Sequence, residues 1–198
     1  SGAEPRFLNT LPENDFAFDY DTLSDADWRR VQLMFVCSPA NPTGKVLNLD
    51  DWKKLFALSD KYGFIIASDE CYSEVFFDEA NPPLGGMQAA KMLGRNFDRL
   101  VMLSSLSKRS NVPGMRSGFV AGDAAILKSF LLYRTYHGCA MSPVVQSASI
   151  AAWSDEAHVI ANRRLYREKF EAITPKLSGL LGTAMPDASF YLWARVDQ

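Results

Sequence analysis

Apolar residues in this chain gather into short runs, each followed by a cluster of turn formers, and this alternation predicts strands interleaved with helices. Val31-Gln32-Leu33-Met34-Phe35-Val36 reads as a buried strand, apolar on both faces, running into Cys37-Ser38-Pro39-Ala40-Asn41-Pro42-Thr43-Gly44. Phe64-Ile65-Ile66-Ala67 is a second such strand, followed at once by Ser68-Asp69-Glu70-Cys71-Tyr72. A third, Arg99-Leu100-Val101-Met102-Leu103, leads into Ser104-Ser105-Leu106-Ser107-Lys108, and Phe119-Val120-Ala121 is a short fourth. Asn48 caps a helix that has Asp51 in its first turn, Trp52, Leu55, Phe56 and Tyr62 along one face, and Gly63 as its stop. Asp123 caps another, running to about residue 136 with Gly138 beyond it. Ser142 or Pro143 opens a third helix to about residue 153, and a long polar-faced helix spans about 155–177. The segment 177–186, with Gly179, Gly182 and Pro186, reads as a connection to a second region. There Phe190-Tyr191-Leu192-Trp193-Ala194-Arg195-Val196 alternates like a strand.

This order of elements predicts an α/β fold whose mostly parallel sheet is flanked by helices. In open sheets of this kind ligands sit beyond the carboxyl ends of the strands. Here those ends carry Asn41, Asp69 and Lys108, so one edge gathers an amide, a carboxylate and an amine.

Composition narrows the class. With 47% apolar and 22% charged residues in 198, the chain holds enough apolar surface for a folded core. Its net charge of −2 offers no electrostatic footprint for nucleic acid, and no apolar run nears the ~20 residues that span a bilayer. Cys37, Cys71 and Cys139 form no zinc-ligand spacing and no evident disulfide framework, so no metal is expected and a reducing, cytoplasmic compartment is.

The chemistry follows by elimination and fit. No G-x-G-x-x-G string occurs, and Pro39 stands where a P-loop before Gly44-Lys45 needs glycine. Ser105-Leu106-Ser107-Lys108 satisfies S-x-x-K, but the S-D-N and K-T-G strings of penicillin-recognising enzymes are absent. Lys108 fits better as a carbonyl-binding amine, a role favoured by burial or by neighbouring positive charge such as that of Arg109. Ser105, Ser107 and Arg116, the last flanked by Gly114-Met115 and Ser117-Gly118, supply hydroxyls and a guanidinium suited to a phosphate. A phosphate site beside such a lysine points to pyridoxal phosphate (PLP). Asp69 suits its ring nitrogen, and Tyr72 and Asn41 suit its phenolic oxygen. Taken singly, Asp69 also reads as a helix cap, Tyr72 as a core tyrosine and Asn41 as a turn residue; their shared place beyond the strand ends raises them together.

Asn41-Pro42-Thr43-Gly44, Ser68-Asp69-Glu70-Cys71-Tyr72, and Ser105-Leu106-Ser107-Lys108 with Arg116 resemble, in string, order and spacing, the class I/II aminotransferases of PLP fold type I. Ser107-Lys108-Arg109-Ser110-Asn111 through Gly122-Asp123, and the 133–141 stretch, are most similar to the branch that holds the N-succinyldiaminopimelate aminotransferases of bacterial lysine biosynthesis. The resemblance implies that Lys108 is catalytic and carries the cofactor, and that Asp69, Tyr72, Asn41, Ser105, Ser107 and Arg116 bind it. It implies a cis peptide at Asn41–Pro42. It also implies amino transfer from glutamate to N-succinyl-2-amino-6-oxopimelate, with another fold type I aminotransferase or lyase, or a non-catalytic regulator module, as alternatives. Residues 1–176 would be the second part of the PLP-binding large domain and 177–198 the start of a small domain. Ala188-Ser189-Phe190-Tyr191-Leu192-Trp193 would match the family's Gly-Gly-Phe-x-Leu-Trp-like strand, with the carboxylate-binding arginine beyond residue 198. A homodimer is implied, with the 136–143 segment reaching the partner's site.

Overall fold

The apolar runs pair as their pattern requires. The computed structural model describes residues 2–138 and 140–195. A four-stranded sheet has the order β1 (Leu33–Cys37), β2 (Ile65–Asp69), β3 (Leu100–Ser105), β4 (Gly118–Gly122). β1, β2 and β3 are mutually parallel and β4 runs antiparallel to β3. The helices are α1 (Asp25–Trp28), α2 (Leu49–Tyr62), α3 (Gly86–Met92), α4 (Leu106–Arg109), α5 (Ala124–His137), α6 (Pro143–Ser154) and α7 (Ala157–Leu181).

Local signals explain α2. The Asn48 side chain accepts from the Asp51 amide and the Asp51 carboxylate accepts from the Asn48 amide, both at 3.0 Å, which satisfies two donors that a helix start leaves bare. Gly63 ends the helix in the left-handed region at φ +81°, a conformation that costs glycine little. The buried face of α2, Trp52, Leu55 and Phe56, packs with Trp28, Val36, Phe64, Ile66 and Leu100 into the main core. α3 adds Ala89 and Ala90. Its glycine-rich start hides it from the hydrophobic pattern, yet the reason for glycine is steric: a Cβ on Gly86 would lie 2.9 Å from the Trp52 ring.

Three expectations need correction. β1 is not buried on both faces, since Leu33 and Phe35 are 46% and 70% exposed. They alternate onto one face of an edge strand, and the core covers only the other. The long helix continues past 177 to Leu181: Gly179 has open space around it and stays helical, while Gly182, at φ +50°, takes the end. Finally, 190–195 forms no strand among the described residues. A single antiparallel bridge, Phe76 with Ala188, precedes it, and one bridge does not make a ladder. Val196, counted in that expected strand, lies outside the described residues, as does Cys139.

The segment before Phe190 is instead threaded between two loops. The Ala188 amide donates to the Gly44 carbonyl at 3.1 Å, and the Ser189 amide donates to the Val75 carbonyl at 2.7 Å. Gly44 permits this approach, because a Cβ there would fall 2.4 Å from the Ala188 carbonyl oxygen. Ser189 is held fully buried at φ +76°, with its hydroxyl making no hydrogen bond. Both features oppose folding. Replacing Ser189 with Gly is therefore expected to stabilise the protein by about 1 kcal/mol, read as a higher urea midpoint at unchanged slope; a lower midpoint would contradict the strain.

Candidate functional site

The register of the parallel strands sets the site. Cys37 lies opposite Asp69, and Asp69 opposite Leu103, so β1, β2 and β3 finish nearly level on one edge. Beyond β1 the chain folds into a tight turn closed by the Gly44 amide on the Ala40 carbonyl (2.8 Å), which carries Asn41. The Asn41–Pro42 peptide is cis, as the resemblance implied, and Ser38–Pro39 is cis as well. At the end of β2 one Asp69 carboxylate oxygen accepts from the Cys71 amide at 3.0 Å, and the Cys71 thiol also bonds to this carboxylate, fixing its orientation. β3 runs straight into α4, which carries Lys108.

These groups meet around Tyr72. The Asn41 side-chain amide donates to the Tyr72 hydroxyl at 3.4 Å, and Lys108 Nζ lies 5.7 Å from the Tyr72 ring centre. Burial raises the Tyr72 phenol above its ordinary pKa, so it is a neutral donor at physiological pH. The Cys71 thiol accepts from Ser105 Oγ at 3.4 Å and lies within electrostatic reach of Asp69 and Lys108. Burial pushes the Cys37 and Cys71 thiols up to about 11, so both line the site as uncharged groups.

The expected phosphate ligands are only partly gathered. Ser105 pairs across the sheet with Gly118, two residues beyond Arg116. Arg116 is exposed, has a left-handed backbone at φ +53°, and donates to the Pro113 carbonyl at 3.1 Å. Ser107 is half-buried and makes no hydrogen bond to the cluster among the described residues.

Arg109 does not serve Lys108 as a neighbouring charge, because successive helical residues point about 100° apart. It is 5% exposed, donates to the Ala152 carbonyl at 2.7 Å, pairs with Glu156 and lies 5.0 Å from the Trp153 ring centre. Ser110 meets His158 at 2.8 Å and Asn111 donates to Asn162 at 2.7 Å. The turn that holds Lys108 is thus clamped to the junction of α6 and α7.

Sequence reasoning missed two residues, Phe190 and Tyr191. Phe190 lies 5.3 Å from Lys108 Nζ and meets the Tyr72 ring edge-on, and the Tyr191 and Tyr72 hydroxyls are 3.0 Å apart. The only signal was the alternating aromatic run itself, which reads equally as core.

An amine, a carboxylate, a phenol and an amide facing one edge, with a hydroxyl and a guanidinium beside them, fit PLP as a donor set. The family described as aminotransferase class I and II matches residues 1–198. Among curated proteins, the LL-diaminopimelate aminotransferase of Nitratidesulfovibrio vulgaris is 31% identical over all of this chain and half of its own length. The crystal structure of an aminotransferase from Neisseria meningitidis is 64% identical with a TM-score of 0.89, covering 92% of this chain and 46% of that one. A probable N-succinyldiaminopimelate aminotransferase from Thermus thermophilus is 25% identical with a TM-score of 0.80, over 93% of this chain and 49% of its own. With the fold, the strand-end cluster and these likenesses in agreement, the chain belongs to the class I and II aminotransferase family. It spans about half the length of the curated relatives it matches.

Behind the site, Glu70 is buried, and one of its carboxylate oxygens accepts from Ser68 Oγ at 2.9 Å and from the Gly86 amide at 2.8 Å. It thereby ties the Asp69–Tyr72 turn to the start of α3. Burial outweighs these donors and raises its pKa above the ordinary value. A raised carboxylate binds its proton more tightly folded than unfolded. Its stabilising share is therefore full below the unfolded pKa, about 4.5, and is lost as pH rises through the folded one. Wild type is thus expected to gain stability relative to Glu70→Gln as pH falls from 7 toward 4.5, measured by urea unfolding of both; a gap that moves the other way would refute the assignment.

Proposed function

We propose that the protein this chain comes from is a PLP-dependent aminotransferase of the diaminopimelate route to lysine. The observation that carries this is Lys108, its amine set against the rings of Tyr72 and Phe190 on the edge where Asp69 ends its strand. When bound, PLP supplies an electron sink for the pair released when the substrate's Cα loses its proton. Asp69 would hold the cofactor's ring nitrogen protonated. Tyr72 and Asn41 would donate to the phenolic oxygen. Ser105 and Arg116 would hold the phosphate, with Ser107 a weaker contributor. Lys108 would move the proton between Cα and the neighbouring cofactor carbon. Tyr72, Phe190 and Tyr191 would form an aromatic wall beside that amine.

For the substrate, the LL-diaminopimelate aminotransferases among the relatives favour unmodified LL-diaminopimelate as the amino acid. The succinylated acceptor expected from the sequence is the second reading, favoured by the likeness to the Thermus thermophilus protein. We also propose a cytoplasmic homodimer with its domain boundary near residue 176. α5, where Leu131, Tyr133 and Tyr136 are 69%, 60% and 79% exposed, leads into the 136–143 segment expected to reach the partner's site.

Borohydride reduction of the full-length protein with PLP, followed by peptide mapping, is expected to place a pyridoxyl group on Lys108 and to leave Lys108→Ala unlabelled. Labelling elsewhere would overturn the assignment. With labelling in hand, 2-oxoglutarate-dependent turnover of LL-diaminopimelate over N-succinyl-LL-diaminopimelate is expected; the reverse preference would establish the second reading.

A further inference from the structure

Tyr191 enters the site from a segment that no catalytic motif contains, and its placement is over-determined. Its backbone follows Ala188 and Ser189, which are tied on one side to Gly44 and on the other to Val75, both at hydrogen-bond distance. Ser189 is held there in a left-handed conformation with its hydroxyl buried and unpaired. Such strain persists only where surrounding structure enforces it, and it clusters at functional sites. Phe190 fixes the next step: it stacks on Tyr166 of α7 at 5.6 Å and 17° and meets Tyr72 at 5.3 Å and 70°. The result is a hydroxyl pair, Tyr191 with Tyr72, at 3.0 Å.

We propose that Tyr191 is a positioning residue that orients the Tyr72 hydroxyl toward the cofactor. This rests on the reading of Tyr72 as donor to the PLP phenolic oxygen. A phenol has one hydrogen to give and two lone pairs to fill. Two phenols 3.0 Å apart share a single hydrogen between their oxygens. When Tyr72 turns its hydrogen to an acceptor in the site, the Tyr191 hydrogen takes the shared position, and the Asn41 amide at 3.4 Å fills the other lone pair. With both acceptor directions occupied, the Tyr72 hydrogen has one direction left. A hydroxyl that accepts hydrogen bonds is also polarised into a stronger donor.

The sign of the consequence follows. A stronger Tyr72 donor favours the anionic form of the phenolic oxygen, which then holds the proton it shares with the lysine nitrogen less tightly. Removing the Tyr191 hydroxyl weakens that donor, so the shared proton is lost at higher pH.

The test uses the full-length protein reconstituted with PLP and follows the visible absorbance of the Lys108-linked cofactor against pH. Tyr191→Phe keeps the ring and its packing. It is expected to raise the absorbance midpoint by about half a pH unit, with an unchanged thermal midpoint showing an intact fold. In a Tyr72→Phe background the same substitution is expected to move the absorbance midpoint no further, because the group it acts through is gone. An unmoved midpoint in the single variant, or equal shifts in both backgrounds, would overturn the proposal. Absence of a Lys108-linked chromophore in wild type would instead overturn the cofactor reading itself, and the role of Tyr191 with it.

Discussion

Parallel pairing of β1, β2 and β3 with level ends is the constraint on which the rest depends. In a parallel ladder each strand's carboxyl end points the same way, so three turns of unrelated sequence open onto one edge. Cys37, Asp69 and Leu103 mark that level. Shift one strand by a residue and its side chains exchange faces, which would take Asp69 away from the edge and carry Ile66 out of the core. The core in which Trp52, Phe64, Ile66 and Leu100 are fully buried therefore holds the register as well as the fold.

Around that edge the structure spends polar bonds on orientation. Asp69 is turned by the Cys71 amide, and Glu70 anchors the same turn from behind. Arg109, Ser110 and Asn111 fasten the lysine's one-turn helix to α6 and α7, so Lys108 sits on a braced element rather than on a mobile loop.

α7 ties the two ends of the site together. Its first two turns meet the lysine turn through His158 and Asn162 and lock to the loop after Tyr72 through Arg163 with Glu74 and Glu79 at 3.0 and 2.9 Å. Beyond Gly182 the chain returns to place Phe190 and Tyr191 beside Tyr72. The first half of α7 thus braces the lysine turn, the loop after Tyr72 and Phe190 together.

The sequence by itself determined the strands, the caps at Asn48 and Gly63, the succession of α5, α6 and α7, and the strand-end trio of Asn41, Asp69 and Lys108. Each is written locally, in apolar periodicity, in a capping side chain or in a turn former beside it. Tertiary structure alone decided which face of β1 stays open, where Arg109 turns, and that Tyr191 reaches Tyr72. These depend on which element lies across from which, and no residue's neighbours in sequence encode that. Phe190 and Tyr191 read the same in a core strand as in an active-site wall. Only the bonds from Gly44 and Val75 to the backbone before them, made across more than a hundred residues of chain, choose between the two.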